Sequence, residues 1–353
     1  MNSPVLSIII VTRNSEKTLP KALASIKKQN FPKENLEVLV IDGKSTDQTR
    51  PLVKKFGYKL VDNPQIGFVS GKHLGLLIAK GQYAMYLDSD EEIENPDSLK
   101  IKISAFLSNQ TSLLLRNKKI RAVTSSGYKN PDNYPAISRY LNEFGDPFSY
   151  FFYKSTMNNK FFLKQLQKKY PTYSGNNNMV VFDFSKVKEL PLLEFVEMGG
   201  MIDLTYFRKK FPQIKKDPVL IAHFLNLLVN KKDLVAVVKN DPIIHYSVDS
   251  FQKYLNKIAW RVRNNIYNKQ SLALSGFEGR QEPKSGSFRK YLFIPYSLTL
   301  IFPTLDAIYL SITRKDLIFL IHPILCLYTV LLIIYHYLMS LLDIKPDLKI
   351  YGS

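Results

Sequence analysis

Two carboxylates separated by one residue close an apolar run near residue 87. Asp88 and Asp90 flank Ser89 directly after residues 83–87, which are typical of a buried strand. A turn there can bring both carboxylates to one hard cation. Oxygen ligands suit Mg²⁺ or Mn²⁺ and leave positions for water and substrate phosphates. Most isolated triplets of this kind are solvated turns, but the position after an apolar run favours a metal site.

Two further polar clusters also follow apolar runs. Residues 42–47 begin with Asp42, which at the end of a strand can accept hydrogen bonds from a nucleobase or a ribose. The same segment also fits a turn and a helix cap, with Thr46 or Asp47 as the capping residue. The other cluster follows residues 5–11 and consists of Thr12, Arg13 and Asn14.

The elements that must position these clusters alternate between strand and helix. Apolar runs predict strands over residues 5–12, 36–41, 58–61 and 82–87. Helical patterns cover residues 15–29, a segment from residue 46, and residues 69–80. This alternation predicts βαβ units and an α/β fold with a mainly parallel, Rossmann-like sheet. Ligands bind such sheets beyond the carboxyl ends of the strands, where all three clusters are expected to lie.

Together these stretches resemble family 2 glycosyltransferases of the GT-A fold. The similarity covers about the first 110 residues and includes residues 6–14, Ser25, Gln29, residues 40–47, Gly75, residues 79–81 and residues 86–91. The resemblance implies that a sugar is transferred from a nucleotide-sugar donor, with inversion as the usual outcome. It implies that the donor site contains Thr12, Arg13, Asn14, Asp42, Lys72 and Asp88. It further implies that a divalent cation, Mg²⁺ or Mn²⁺, is bound by Asp88, Asp90 and His245.

The sequence departs from the family where a catalytic base is expected. Many members have Gly-Glu-Asp at the position of Gly199-Gly200-Met201, which offers no group for proton transfer. Asp203 is the preferred substitute and Glu197 the second candidate, since each lies within about one turn of the lost position. Alternatively, the acceptor is already an anion, such as a polyisoprenyl phosphate, and needs no base, or the enzyme is weak or inactive.

The composition of the chain indicates two further features, an anionic partner and an association with a membrane. The 49 Lys and Arg exceed the 30 Asp and Glu by 19 charges, and the single cysteine excludes a disulfide framework or a cysteine-based zinc site. Nucleic acid, a phosphorylated small molecule and an acidic membrane all suit this charge. Because no nucleic-acid-binding motif is found, we expect no nucleic-acid partner. Residues 317–342 contain no charged side chain over 26 residues. At about 39 Å, a helix of this length exceeds a bilayer core of about 30 Å.

These patterns predict four regions: a GT-A domain over residues 1–250, a basic amphipathic juxtamembrane region over 251–290, one or two transmembrane or interfacial helices over 291–342, and a short tail over 343–353. The basic region is expected on anionic headgroups, and its charge indicates that the catalytic domain is on the cytoplasmic side of the cell membrane. The acceptor is expected to be a glycan or a lipid-linked sugar. The alternatives are a polyisoprenyl-phosphate glycosyltransferase and a non-catalytic scaffold that binds a nucleotide sugar at the membrane.

Overall fold

The computed structural model describes residues 3–65, 67–108, 118–193, 195–267 and 287–344. These residues form two compact units. The sheet unit lies within Met1–Lys129 and Asn159–His245, and the helical unit lies within Asn130–Asn158 and Tyr246–Tyr351. Residues 130–158 lie within the predicted GT-A domain, whereas in the structure they belong to the same unit as the C-terminal helices. Residues 268–286 of the predicted basic region and residues 345–353 of the predicted tail lie outside the described residues.

Twelve strands are found in the described residues, and they form two sheets. Their bounds are β1 Leu6–Thr12, β2 Leu36–Asp42, β3 Lys59–Asp62, β4 Tyr83–Tyr86, β5 Glu91–Ile93, β6 Ile120–Thr124, β7 Tyr128–Lys129, β8 Thr172–Gly175, β9 Met179–Phe182, β10 Met201–Asp203, β11 Leu234–Val238 and β12 Ile243–His245. The large sheet has the order β3-β2-β1-β4-β10-β6-β11-β9-β8, and the small one has the order β5-β12-β7. In the large sheet only β9 and β10 run against the other described strands. The predicted mixed α/β fold with a mainly parallel sheet is confirmed.

The helices alternate with the strands at first and then gather near the C-terminal end of the described chain. Their bounds are α1 Leu19–Lys27, α2 Thr49–Phe56, α3 Phe68–Ile78, α4 Ser98–Leu107, α5 Ala136–Phe144, α6 Pro147–Tyr153, α7 Phe162–Lys169, α8 Leu204–Lys210, α9 Phe224–Asn230, α10 Phe251–Tyr267, α11 Ser287–Tyr291, α12 Phe293–Thr299, α13 Ile301–Arg314 and α14 His322–Leu341. Short 3₁₀ turns connect several of them. Helices α5, α6 and α10–α14 belong to the helical unit.

The centre of the large sheet explains how the first site residues are positioned. Every residue of β1 is buried, because β1 lies between β2 and β4. Helix α3 packs very close to β1: a Cβ atom on Gly75 would lie 2.3 Å from Cγ2 of Ile9, so only glycine permits this approach. The close packing fixes α3 against the strand and thereby fixes Lys72, one turn earlier, beside the carboxyl ends of the central strands.

One helical segment of the described chain is long and apolar enough to cross a membrane. It is Leu317–Leu341, with 25 residues and a mean hydropathy of 2.7. The segments Phe288–Thr299 and Ile301–Arg314 satisfy the same criterion only when taken together, and they are bent by 87° at their junction. Length and composition alone support these assignments.

Candidate functional site

A buried ion pair joins α3 to the turn after β4. Nζ of Lys72 lies 2.8 Å from Oδ1 of Asp88, and Lys72 also donates a hydrogen bond to the carbonyl of Val196. The Lys72 side chain is 4% exposed and that of Asp88 15% exposed. Burial raises the pKa of Asp88 to about 7, against the opposing effect of the Lys72 ammonium. The structure therefore brings together two of the predicted donor-site residues and places them away from bulk water.

Glu91 holds the Asp88 turn against a second loop. Its Oε2 accepts the backbone N–H of Asp88 at 3.1 Å, while its Oε1 accepts the backbone N–H of Met198 at 2.8 Å and the hydroxyl of Tyr128 at 2.8 Å. Glu91 is 1% exposed, and burial raises its pKa above the ordinary value. One carboxylate thus fixes the spacing between Asp88 and the loop that carries Glu197.

The small sheet brings His245 to the acidic turn. His245 is the cross-strand neighbour of Glu91, and its ring packs on Tyr128 with 4.4 Å between centroids. Nε2 of His245 lies 3.5 Å from Oδ2 of Asp90. Of the three predicted metal ligands, Asp90 and His245 therefore face one another, whereas Oδ1 of Asp88 is directed at Lys72.

The donor set at this point fits a two-ligand metal site. Within the described residues, no group of three or more His, Cys, Asp or Glu side chains is arranged to hold a metal ion. Mg²⁺ is commonly held by one or two protein carboxylates, with water and substrate phosphates completing the coordination. Asp90 would supply one such carboxylate, and the His245 imidazole beside it is a ligand type that suits a transition metal better than Mg²⁺.

Asp42 lies at the same edge of the sheet, at the end of β2. It is fully buried and pairs in register with Thr12 on one side and Asp62 on the other. NH1 of Arg50 lies 2.7 Å from Asp42 Oδ2 and 2.6 Å from Asp62 Oδ1. Oδ1 of Asp42 has only a weak contact, 3.4 Å from the backbone nitrogen of Ser45. Recognition of a base by Asp42 remains a prediction, and it requires the site to open, because the Asp42 side chain has no exposed surface in this structure.

Thr12, Arg13 and Asn14 follow β1, next to Asp42. Asn14 links two loops, because its Oδ1 accepts the backbone N–H of Thr46 at 2.8 Å and its own N–H bonds to the Ser45 hydroxyl at 2.9 Å. The Thr12 hydroxyl and the Arg13 Nε and NH1 groups are buried without a hydrogen-bond partner among the described residues. Buried polar groups normally have partners. These groups are therefore suited to binding a polar ligand at the strand ends.

The structure separates the two candidate bases. Asp203 pairs with Tyr83, at the start of β4, and caps α8 by accepting the backbone N–H of Tyr206 at 2.9 Å. Its other oxygen bonds to Arg121. Asp88 lies five residues beyond Tyr83, roughly 17 Å along the strand direction. The preference for Asp203 is not supported by this geometry, because the strand carries its side chain to the opposite end of β4.

Glu197, in contrast, lies on a loop that is held against the acidic turn containing Asp88. The next residue, Met198, donates its backbone N–H to Glu91, which also accepts the N–H of Asp88. The charges of Glu197 and Asp88 both help to raise the pKa of the buried Tyr128 hydroxyl, after the larger effect of burial. Glu197 is therefore the candidate base that the fold brings to the acidic turn.

Glu91 and Tyr128 are buried site residues that were not among those predicted from the sequence. Glu91 was visible within the acidic run 88–92, but its pairing with β12 and two of its three hydrogen bonds, from Tyr128 and Met198, depend on segments that are distant in sequence. Nothing local distinguishes Tyr128 from the many other tyrosines of the chain.

A parallel-sheet domain with an acidic, lysine-containing site at the carboxyl ends of its strands is typical of α/β proteins that bind phosphorylated ligands. Residues 7–186 match the family model described as glycosyl transferase family 2. Because this match covers just over half of the chain, the protein belongs to glycosyl transferase family 2.

The individual relatives that are similar to this chain are also named as glycosyltransferases. A poly(ribitol-phosphate) beta-N-acetylglucosaminyltransferase of Staphylococcus aureus is 38% identical over 133 residues, which are 35% of this chain and 23% of the relative. A UDP-Glc:alpha-D-GlcNAc-diphosphoundecaprenol beta-1,3-glucosyltransferase of Escherichia coli is 33% identical over 124 residues, covering 34% of this chain and 48% of the relative. The chain thus spans less than half of either relative.

Among solved structures, a mannosyltransferase of Pyrobaculum calidifontis in complex with GDP-Man and Mn²⁺ has the same fold. The similarity covers 95% of this chain and 88% of that one, with a TM-score of 0.54 and 14% identity.

Proposed function

We propose that the protein transfers a glycosyl group from a nucleotide-sugar donor to a glycan or lipid-linked acceptor, with inversion at the anomeric carbon and with the help of a divalent cation. The observation that carries this proposal is the convergence of Lys72, Asp88, Asp90 and His245 at the carboxyl edge of a family 2 glycosyltransferase sheet. These residues come from a helix, a turn and a strand that are far apart in sequence.

The donor is proposed to lie along the strand ends. Asp42 and the unpartnered groups of Thr12 and Arg13 are suited to the nucleoside, and Lys72 is a buried cation near the expected diphosphate. A buried cation attracts phosphate more strongly than an exposed one, because water screens it less. Asp88 keeps Lys72 in place through their ion pair.

Asp90 and His245 are proposed to hold Mg²⁺ or Mn²⁺. A cation bound there would neutralise the charge that develops on the nucleoside diphosphate as it leaves. In support, the neighbour with the same fold was solved with Mn²⁺ and a nucleotide sugar.

The acceptor hydroxyl is proposed to give its proton to Glu197. A general base of this kind typically contributes a factor of about 10²–10⁴ to the rate. The glycine pair at residues 199–200 favours a second candidate function, because the usual acidic pair is missing there. In that alternative, the acceptor is a polyisoprenyl phosphate, whose oxygen is already anionic and needs no base.

The protein is proposed to act at the cytoplasmic face of the cell membrane. The support is the apolar segment Leu317–Leu341 together with the cationic helix α10. Cationic segments beside apolar ones normally remain on the cytoplasmic side, where anionic headgroups attract them.

A donor screen with the purified full-length protein tests the proposal. UDP-glucose and UDP-N-acetylglucosamine come first, since the names of the relatives contain these sugars, followed by GDP-mannose. Each donor is assayed with Mn²⁺, with Mg²⁺ and with a chelator, and release of nucleoside diphosphate is measured. We expect cation-dependent release with one donor and faster release when the acceptor is present.

Two acceptor classes separate the two candidate functions. Sugar transfer to a glycan hydroxyl supports the first candidate, and transfer only to polyisoprenyl phosphate supports the second. Donor binding by calorimetry without transfer to any acceptor would identify a non-catalytic scaffold. Absence of binding for every nucleotide sugar would overturn the proposal.

A further inference from the structure

Helix α10 packs along α14 for most of its length. Four residues spaced one turn apart on α10 are buried in the same apolar cluster as Leu325 of α14, and they are Tyr254, Ile258, Val262 and Ile266. Near the end of α10, the Tyr267 hydroxyl donates to the carbonyl of His336 at 2.9 Å. Because the contacts run from Leu325 to His336, α10 and α14 lie side by side over about 17 Å.

The remaining surface of α10 is cationic. This 17-residue helix carries Lys253, Lys257, Arg261 and Arg263 and no acidic residue. Two of these cations have acidic partners outside the helix, Lys253 with Asp249 and Arg261 with Asp146. Its length, about 26 Å, is close to the thickness of a bilayer core. If α14 crossed the membrane, α10 would lie beside it within the hydrocarbon, and several of these cations would be carried far from water. Charged side chains are rarely found there.

Helix α13 does not suit a membrane crossing either. Its 14 residues are about 21 Å long, and the preceding apolar segment is bent away by 87°. Asp306, in the middle of α13, lies 2.6 Å from Nζ of Lys154 and accepts a hydrogen bond from the Tyr296 hydroxyl at 2.7 Å. Arg314, at its end, pairs with Glu143. These ion pairs tie α13 to α5 and α6.

Both helices nevertheless expose an apolar face. On α13 the exposed side chains include Ile301, Leu305, Ile308 and Ile312, which are 64%, 59%, 46% and 70% exposed. On α14 and its end they include Ile324, Leu331, Tyr335, Leu338 and Leu342, at 65%, 53%, 53%, 56% and 69%. Each set recurs every three, four or seven residues and so lies on one side of its helix.

We infer that the helical unit binds a membrane from one side. The exposed faces of α13 and α14 enter a single leaflet, and the cations of α10 remain at the level of anionic headgroups. An apolar face beside a basic helix is the pattern of an interfacial anchor. Neither α13 nor α14 crosses the bilayer. This inference refines the membrane location given in the proposed function, and its tests do not depend on sugar transfer.

Cysteine accessibility tests the topology. Thr313→Cys and Asp343→Cys bracket the segment Leu317–Leu341, and both are exposed polar positions that do not belong to the apolar faces described above. The natural cysteine, Cys326, is buried, so the unsubstituted protein gives the background. In sealed, inside-out membrane vesicles, we expect an impermeant maleimide to label both variants before detergent is added. Detergent should then increase the labelling of both variants by the same factor, about two at most. Labelling of one position only after detergent would show a crossing and overturn the inference.

Binding to preformed vesicles tests whether the exposed apolar faces of α13 and α14 enter a leaflet. Full-length protein is mixed with equimolar phosphatidylglycerol and phosphatidylcholine vesicles and sedimented. We expect Ile312→Asp and Tyr335→Asp each to weaken binding by about tenfold, since a carboxylate resists entry into the leaflet. Leu107→Asp, at a 49% exposed position of the sheet unit, is the matched control and should bind like the unsubstituted protein.

The folded state of each variant is checked by its melting curve, which should change little because the three substituted side chains are exposed by 70%, 53% and 49%. Equal binding of all variants would overturn the inference. So would a stable dimer that hides these faces and does not bind vesicles.

Discussion

Lys72 and Asp88 form an ion pair across two elements of the sheet unit, with 2.8 Å between Nζ and Oδ1. Lys72 lies on α3 and Asp88 follows β4, so the pair exists only when both pack against β1. The pair therefore connects the predicted donor site to the sheet.

Replacing Lys72 with methionine should destabilise the protein and remove donor binding. Loss of one partner leaves the Asp88 carboxylate buried without a cation, which costs about 3–5 kcal/mol. The double variant Lys72→Met/Asp88→Asn removes both charges and should recover most of that stability without recovering donor binding. Melting temperatures at pH 8 and donor calorimetry measure the two effects. Lys100→Met, on the exposed face of α4, is the control and should change neither.

Asp88 should give the stability a specific pH dependence. Its pKa in the folded state, about 7, lies above the ordinary value of 3.8 because of burial. The folded protein then binds an extra proton between these values, so the contribution of Asp88 to stability falls as the pH rises through this window. Between pH 5 and pH 7, the free energy of unfolding of the unsubstituted protein should fall, relative to that of Asp88→Asn, by up to about 1.4 kcal/mol per pH unit.

Unfolding in the presence of a chelator, at several pH values, measures this difference. Ser89→Ala keeps the carboxylate and should follow the unsubstituted protein. A constant difference between the protein and Asp88→Asn over this range would contradict the raised pKa.

Glu197→Gln should lower kcat by about 10²–10⁴ when the acceptor is a hydroxyl, with little change in KM for the donor. Asp203→Asn should leave kcat within about threefold, because Asp203 lies at the other end of β4. Its main effect should be a loss of about 1 kcal/mol of stability through weaker capping of α8 and the lost ion pair with Arg121. Steady-state kinetics of the two variants decide between the bases. Equal losses of kcat would restore Asp203 as a candidate.

Asp90→Asn and His245→Gln should each raise the Mn²⁺ concentration needed for half-maximal activity by at least about tenfold. Both side chains face the same point, 3.5 Å apart. His73→Gln is the matched histidine control, since His73 contacts only the carbonyl of Ile214 among the hydrogen bonds found for it. An unchanged metal requirement in both test variants would exclude this pair as the cation site.

The first half of the sheet could be read from local sequence. Runs such as residues 5–12 are apolar enough to be buried on both faces, and the observed strand is Leu6–Thr12. The third strand was expected at residues 58–61 and is found at Lys59–Asp62. Strands β5, β7, β10 and β12 have only two or three residues each. Such strands carry no periodic pattern and form because neighbouring strands supply their hydrogen bonds, so they could not be identified beforehand.

The sequence alone determined the α/β class and the family, and it predicted a site centred on the run from Asp88 to Asp90, since all three depend on patterns of adjacent residues. Tertiary structure decided which side chains meet there. It paired Asp88 with Lys72, brought His245 to Asp90, and moved Asp203 away through the antiparallel direction of β10. It also covered α14 with a cationic helix. The direction of a strand and the burial of a face arise from contacts between distant segments, and no single segment contains that information.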